Sequence, residues 1–175
     1  MLRNTYKEAY EAYFARLDLD ELIDKSKVLV QNAHRIFFIG NGGSNSVCSH
    51  MMEDFGKMLR KQTFSFSDAS LITCYANDYG YEHAFSEWLK LYEATDADLL
   101  VAISSSGKSI NIINAVNVAL SSNCPVITLS GFDDHNPLSK LGRINMHVDS
   151  HSYGIVETMH QVFIHTILDE CYEER

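Results

Sequence analysis

Residues 35–44, Arg-Ile-Phe-Phe-Ile-Gly-Asn-Gly-Gly-Ser, join an apolar run to a glycine-rich turn, as a buried strand does where it leads into a helix. A second junction of this kind occupies residues 98–109, Asp-Leu-Leu-Val-Ala-Ile-Ser-Ser-Ser-Gly-Lys-Ser. Glycine lets the backbone approach a ligand, serine supplies hydroxyl groups, and the free N–H groups of a starting helix attract an anion. Two such turns in one chain predict a phosphorylated ligand.

Outward from these turns, strands and helices alternate along the chain. Strands are predicted at residues 35–39, 63–66, 71–75, 98–103, 125–130 and 144–148, with a loop at 77–80. Helices are predicted at residues 4–33 (two helices, broken near 17–20), 44–60, 110–121 and 153–172. Two more are predicted, one after the loop at 77–80 that ends at about residue 93, and a short one that ends at residue 141. This alternation predicts an α/β fold with a central parallel sheet flanked by helices. We expect a single domain over 1–175, with helices at 1–34 and the α/β core at 35–175.

Composition argues against several classes of protein. The 175 residues are 46% hydrophobic and 21% charged, as in an ordinary globular protein. A net charge of −9 without a basic stripe argues against a nucleic-acid partner. No apolar run approaches the roughly 20 residues that cross a bilayer, so no membrane partner is expected. Four scattered cysteines without a Cys-x-x-Cys pair, and no apolar signal sequence, favour the cytoplasm.

Four short motifs then point to a known family. They are Gly-Asn-Gly-Gly-Ser at 40–44, Ala-Asn-Asp-Tyr-Gly-Tyr at 76–81, Ile-Ser-Ser-Ser-Gly-Lys-Ser at 103–109 and Val-Ile-Thr-Leu-Ser-Gly at 126–131. In this order the chain resembles the sugar isomerase (SIS) family, and more narrowly its phosphoheptose isomerases. The resemblance implies a flavodoxin-like three-layer sandwich after an N-terminal helical lead. It also implies conversion of sedoheptulose 7-phosphate to D-glycero-D-manno-heptose 7-phosphate, or of a related ketose phosphate, for heptose glycoconjugates such as lipopolysaccharide or capsule.

The resemblance further implies which residues bind the phosphorylated sugar. They are Asn41, Gly42, Gly43, Ser44, Asn77, Asp78, Ser104, Ser105, Ser106 and Ser109. Short hydroxyl side chains beside backbone N–H groups can neutralise a phosphate without a basic residue. A P-loop is excluded, because its pattern requires glycine at position 102 and this chain has Ala102. For Lys108, where the family more often has Asn, a phosphate contact and a solvent-facing role both stay open.

A metal site is implied in the same way, because the family binds zinc through side chains on two helices. The corresponding residues here are His50, Asp54, Glu157 and His165. Their spacings of four and eight place each pair near one helix face, and nitrogen and carboxylate ligands suit zinc. Asp54 stands where the family has Glu, and Glu157 where it has Gln. These departures leave open a different sugar, a different metal affinity or lost catalysis.

The resemblance also assigns roles in the reaction. Aldose–ketose isomerisation moves a proton between C1 and C2 through an ene-diol, so it needs a base and an acid. Asp54 is the implied base, with Glu157 the runner-up, and His165 is the implied acid. The alternative is a non-catalytic SIS-fold module that binds a phosphosugar or a protein partner. An arabinose 5-phosphate isomerase is disfavoured, since we expect no room for the regulatory domains of that class.

Two further expectations concern assembly and the remaining histidines. Family members are typically homotetramers with sites between subunits, and the aromatic first helix fits either an interface or packing on its own subunit. Its aromatic residues are Tyr6, Tyr10, Tyr13 and Phe14. The histidines without a partner at ligand spacing are expected to have no site role: His34, His83, His135, His147, His151 and His160.

Overall fold

A computed structural model describes residues 2–175, with side chains described from Thr5 onward. The α-helices are α1 (Leu2–Phe14), α2 (Leu19–Asn32), α3 (Gly43–Leu59), α4 (Ala69–Tyr79), α5 (Ala84–Leu91), α6 (Ile110–Ser121) and α7 (Tyr153–Glu173). The strands are β1 (Arg35–Gly40), β2 (Gln62–Ser65), β3 (Leu99–Ser104), β4 (Val126–Gly131) and β5 (Ile144–Val148). A 3₁₀ helix, Pro137–Lys140, lies between β4 and β5.

The five strands form one parallel sheet in the order β2-β1-β3-β4-β5. This is the flavodoxin-like strand order, so the prediction of fold class is confirmed. The chain builds outward from β1 to β2 and then crosses back to place β3 on the other side of β1. The strand order therefore reverses between β1 and β3.

The sheet is buried on both faces, as the apolar strands predict. Phe37 and Phe38 are neighbours in β1, so their side chains point to opposite faces of the sheet, and both side chains are fully buried. Phe38 packs with Phe55 in the layer formed by α2, α3 and α7, with ring centroids 5.4 Å apart. Phe37 packs with Trp88 in the layer formed by α5 and α6, with ring centroids 5.8 Å apart. These two layers and the sheet make the predicted three-layer sandwich.

One segment differs from the prediction. Residues 69–79 form α4, so the strand predicted at 71–75 and the loop predicted at 77–80 are both wrong. Asp68 caps this helix by accepting hydrogen bonds from the backbone N–H groups of Ser70 and Leu71. Gly80, with φ of +80°, ends it. Capping and an apolar face on the core therefore override the strand preference of the local sequence.

The two-helix N-terminal lead is confirmed and is anchored to the sheet. Arg16, in the break between α1 and α2, donates to the backbone oxygen of His147 in β5 at 2.6 Å. Its guanidinium group also pairs with Asp18 at 2.8 Å. Among the helices of residues 2–175, none is both long enough and apolar enough to span a membrane.

Candidate active site

The two glycine-rich turns lie side by side at one edge of the sheet. We call residues 40–44 the first turn and residues 104–109 the second turn. Gly40 of β1 pairs with Ile103 of β3, so the chain leaves both strands at the same level. In open parallel sheets, ligands bind at the carboxyl ends of the strands where the strand order reverses. Both turns occupy that position.

In the first turn, the side chain of Asn41 is bonded within the protein. Its Nδ2 donates to Asn111 Oδ1 at 3.0 Å, and Asn111 Nδ2 donates back to Asn41 Oδ1 at 3.0 Å. The Tyr81 hydroxyl also donates to Asn41 Oδ1, at 2.8 Å. Asn111 is buried and lies in the first turn of α6, just after the second turn. The amide pair therefore ties the two turns together.

The start of α3 is covered by a carboxylate of the chain itself. Gly42 has φ of +56°, which glycine adopts without strain, and α3 begins at Gly43. A Cβ atom at Gly43 would lie 2.3 Å from Glu157 Oε2, so the carboxylate packs directly on this residue. The positive end of the helix dipole stabilises a carboxylate there. Ser44, in the same helical turn, is buried.

The second turn keeps two hydroxyl groups near the surface. Ser104 and Ser105 are buried, whereas Ser106 and Ser109 are only half-buried. Ser104 Oγ donates to Ser109 Oγ at 3.1 Å, and Ser106 Oγ accepts from the backbone N–H of Lys108 at 3.2 Å. Ser109 is the N-cap residue of α6, yet its side chain makes no capping hydrogen bond to the described residues. Ile112 N–H already donates to Asn111 Oδ1 at 3.0 Å, so the N–H groups of Ile110 and Asn111 are the ones placed to receive an anion.

Gly107 gives the second turn its shape. Its φ is +62°, and a Cβ atom there would lie 1.8 Å from Asn136 Oδ1. Asn136 is fully buried and held by its own hydrogen bonds. Its Nδ2 donates to the backbone oxygen of Asp133 at 2.7 Å, and its Oδ1 accepts from the backbone N–H of Ser139 at 2.9 Å. Only glycine fits against this fixed amide.

An open cavity of about 710 Å³ adjoins the second turn. Its lining comes from that turn and from the loops after β4 and β5: Ser106, Lys108, Phe132, Asp133, Asp134, His147, Asp149 and His151. Lys108 is exposed, and its Nζ lies 3.4 Å from Asp133 Oδ2. The ammonium group is therefore both open to solvent and partly neutralised by a carboxylate.

The predicted sugar-contacting residues Asn77 and Asp78 lie in the last turn of α4 and are exposed. Asn77 Nδ2 donates to Asp78 Oδ1 at 2.9 Å, and Cys74 Sγ lies 3.7 Å from Asp78 Oδ2. These contacts stay within α4. Tyr81, which closes the same motif, is the member that bonds to the first turn, and sequence reasoning missed it. Its place at the end of the motif was the available signal.

Helices α3 and α7 carry the second part of the candidate site. Each follows a strand of the parallel sheet, so both start at the same edge and run in the same direction. His50 Nε2 lies 3.1 Å from Asp54 Oδ2, one helical turn further along α3. The rings of His50 and His165 have centroids 5.3 Å apart. One ligand atom from each of these three side chains lies within 4.8 Å of the other two.

Two further residues of α7, Gln161 and Glu157, lie on the helix face that carries His165. Gln161 Nε2 lies 3.2 Å from His50 Nδ1, a contact that sequence reasoning missed. Gln161 stands midway between Glu157 and His165 at intervals of four, so the three share one helix face, which was the available signal. Glu157, the predicted fourth ligand, lies at Gly43 and is not in the converging group seen within the described residues.

Comparison with known proteins identifies the family. The family model for the SIS domain matches residues 5–131. The chain belongs to the SIS domain family. Two curated relatives of this SIS protein are named phosphoheptose isomerase. That of Fusobacterium nucleatum is 30% identical over 174 residues, covering 97% of the chain and 87% of the relative. That of Aliarcobacter butzleri is 33% identical over 159 residues, covering 85% of the chain and 83% of the relative.

Solved structures agree with this assignment. The phosphoheptose isomerase GmhA from Neisseria gonorrhoeae superposes with a TM-score of 0.86 at 26% identity, covering 96% of this chain and 93% of that one. The Vibrio vulnificus NanR protein complexed with ManNAc-6P superposes with a TM-score of 0.72 at 18% identity, covering 99% of this chain and 63% of that one. NanR shares only the fold. The predicted resemblance to SIS phosphoheptose isomerases is thus confirmed.

The donor set between α3 and α7 of this SIS protein fits a zinc ion. Two imidazole rings and one carboxylate are established zinc ligands, and catalytic zinc keeps three protein ligands and one open position. The side chain of His50 is 48% exposed and that of Asp54 is 18% exposed, so the group opens to the surface. A ligand could therefore reach an ion held by His50, Asp54 and His165.

Two other histidines of the SIS domain are bonded to β4. His160 is fully buried, and its Nε2 lies 3.0 Å from the backbone oxygen of Ser130. Burial lowers the pKa of His160 to about 4, so its ring is neutral near pH 7. His147 Nδ1 lies 3.3 Å from Ser130 Oγ, and burial lowers the pKa of this ring as well.

Proposed function

We propose that this SIS protein is an aldose–ketose isomerase that converts sedoheptulose 7-phosphate, or a related ketose phosphate, to the corresponding aldose phosphate. Its phosphoheptose isomerase relatives support this reaction. The observation that carries the proposal is the convergence of His50, Asp54 and His165. The same fold also carries the serine-rich second turn at the end of β3. A non-catalytic binding module would not need this convergence of acid, base and metal-ligating groups.

The second turn is the proposed phosphate site. Its half-buried hydroxyls, Ser106 and Ser109, and the N–H groups at the start of α6 can bind the phosphate oxygens together. The first turn stabilises the position of this site, because Asn41 is hydrogen-bonded to Asn111 at the start of α6. Phosphate binding energy would then hold the reacting carbons in place.

The side chains of His50, Asp54 and His165 would hold a zinc ion. An ion bound there would supply Lewis-acid polarisation of the sugar carbonyl. Glu157 was the fourth predicted ligand and the second candidate for the base. Because its carboxylate packs on Gly43, we assign it instead to stabilising the start of α3.

The proton transfer is assigned to two side chains. The carboxylate of Asp54 takes the proton from C1 of the open-chain ketose and returns it to C2 of the ene-diol. His165 moves a proton between the two sugar oxygens, giving it to O2 and accepting it from O1. The sum of these transfers leaves both side chains in their starting state.

A homotetramer with sites between subunits is the proposed assembly. His50 and Asp54 lie seven and eleven residues beyond the start of α3, about 10 and 16 Å along its axis from the strand ends. The acid–base group is therefore displaced from the second turn of its own chain, and a second copy can bring the two parts together. The ring of Phe14 in α1 is 61% exposed, which fits contact with another copy.

The cytoplasm is the proposed compartment for this reaction. Cys48, Cys74, Cys124 and Cys171 are unpaired, as is usual where thiols stay reduced. The substrate is an anionic phosphosugar, which metabolism supplies inside the cell.

A direct assay tests the proposed function. The purified protein is incubated with sedoheptulose 7-phosphate after chelator treatment, with and without added Zn²⁺, and the aldose and ketose phosphates are separated. We expect turnover in the wild-type protein and a fall in kcat of about 100- to 10,000-fold in His165→Ala. His34→Ala is the matched control, since His34 is exposed at the opposite edge of the sheet.

Two outcomes would contradict the proposal. Wild-type activity in His165→Ala would remove His165 from the chemistry. The absence of turnover under every metal condition, with phosphosugar binding intact, would favour the non-catalytic module.

A further inference from the structure

Gln161 faces the candidate site from α7 without being one of its predicted members. Its Nε2 lies 3.2 Å from His50 Nδ1, while His50 Nε2 lies 3.1 Å from Asp54 Oδ2. The imidazole ring of His50 is thus held at both nitrogens, by an amide on one side and a carboxylate on the other. The half-exposed ring also packs edge-on against the His165 ring, with centroids 5.3 Å apart, but only Gln161 and Asp54 bond to its nitrogens within the described residues.

The chemistry of these three groups fixes where the proton lies. A neutral imidazole carries one proton, and the nitrogen without it accepts a hydrogen bond. When the amide of Gln161 donates to Nδ1, the proton sits on Nε2 and is donated to Asp54. When Nε2 instead binds a metal ion, the proton must sit on Nδ1 and needs an acceptor. A glutamine amide can meet both demands, because a half-turn presents its oxygen in place of its nitrogen.

We propose that Gln161 is a positioning residue that orients the His50 ring and selects its tautomer, as a donor in the metal-free protein and as an acceptor when a metal binds. The metal-bound part of this role rests on the proposed zinc site, whereas the metal-free part does not. Glu157, one turn earlier on the same face, does not compete for His50, because its carboxylate packs on Gly43.

Three variants separate the two halves of this role. Gln161→Leu keeps the size of the side chain and removes its hydrogen bonds. Gln161→Glu can accept from Nδ1–H but cannot donate to Nδ1. Gln31→Leu is the matched control, because Gln31 is an exposed glutamine that bonds to Glu174 away from the site.

The first measurement is the ¹⁵N spectrum of the His50 ring in metal-free protein at about pH 8, where ordinary imidazoles are neutral. The wild-type protein and Gln31→Leu should show mainly the Nε2–H tautomer. Gln161→Leu should show a mixture of tautomers, and Gln161→Glu should shift the ring to the Nδ1–H form.

The second measurement is Zn²⁺ affinity in competition with a chromophoric chelator. Gln161→Leu should bind Zn²⁺ about 10- to 100-fold more weakly than the wild type, as for other residues that orient a ligating histidine. Gln161→Glu should bind at least as tightly as the wild type. A general loss of structure would weaken both variants equally and so is distinguishable.

An unchanged tautomer or an unchanged Zn²⁺ affinity in Gln161→Leu would overturn the proposal. If the wild-type protein binds no Zn²⁺, the proposed zinc site fails, and the ¹⁵N spectra alone then decide the role of Gln161 in the metal-free protein.

Discussion

In the first turn, the side chain of Asn41 is hydrogen-bonded to Asn111 and Tyr81. In the second turn, Ser106 and Ser109 are only half-buried. The start of α3 after the first turn is covered by the carboxylate of Glu157. The second turn instead lines an open cavity with Ser106 and Lys108. Two turns of similar composition at the same edge of the sheet are thus set up for different tasks.

This difference shows that a glycine-rich turn is a ligand site only when its own chain leaves it open. The N–H groups of a starting helix attract any nearby anion, including a carboxylate from the same protein. Where a side chain such as Glu157 supplies that charge, the turn becomes part of the framework. We therefore expect the loss of a bonded side chain at the first turn to change stability, and the loss of a hydroxyl group in the second turn to change substrate binding.

The largest expected effect contrasts the glycines of the two turns. Both Gly107 and Gly42 have positive φ, but a Cβ at Gly107 would meet the fixed Asn136 side chain, while a Cβ at Gly42 has no atom within 4 Å among the described residues. Gly107→Ala should lower the free energy of unfolding by about 4 kcal/mol, and Gly42→Ala by about 1 kcal/mol. Urea unfolding measures both. Equal losses would show that backbone strain alone governs these positions.

A second effect concerns pH and the strand end beside the second turn. Burial lowers the pKa of His160 to about 4, so the unfolded chain, with a pKa near 6.5, takes up a proton first as the pH falls. The free energy of unfolding should therefore fall between pH 6.5 and about 4, by up to about 3 kcal/mol from this residue.

His160→Gln provides the comparison for this pH dependence, because its amide can still donate to the backbone oxygen of Ser130 but does not titrate. Its unfolding free energy should be flatter over the same pH range. Identical slopes in the variant and the wild type would assign the pH dependence to other groups.

A smaller effect tests substrate binding at the second turn. Ser106→Ala removes a half-buried hydroxyl beside the cavity and should raise KM about tenfold with little change in kcat, a loss of about 1.4 kcal/mol. Initial-rate kinetics measure the two constants. Ser121→Ala, near the far end of α6, is the control, and an unchanged KM in Ser106→Ala would argue against the phosphate site.

The smallest effect returns to the first turn. Tyr81→Phe removes one hydrogen bond to Asn41, which stays paired with Asn111, so unfolding should become easier by about 1 kcal/mol or less. KM should change less than in Ser106→Ala. A larger rise in KM than in Ser106→Ala would reverse the roles that we assign to the two turns.

Much of the fold could be predicted because the signals were local. The apolar runs that became β1 and β3, each followed by small residues, indicated buried strands of a parallel sheet. The strand predicted at 71–75 was wrong because Ile72 and Thr73 suit a strand, while the Asp68 cap and the packing of the partly buried Leu71 and Ile72 on the core favoured a helix.

The candidate site was only partly predictable. The resemblance implied His50, Asp54 and His165, with helical spacing consistent with the first two, and the structure brings these three into one group. Gln161 and Tyr81 were missed, because each acts through a partner far away in the sequence. Residue types alone did not distinguish a turn that a carboxylate covers from one that stays open.

The sequence by itself determined the alternation of strands and helices, the position of the two turns at strand ends, and membership of the SIS family. These follow from local periodicity, from glycine and serine at the ends of apolar runs, and from motif order. Only the tertiary structure decided that Glu157 lies on Gly43, that Asn41 bonds to Asn111, and that Gln161 holds His50. Such contacts depend on how α3, α6 and α7 pack around the sheet, which local patterns do not specify.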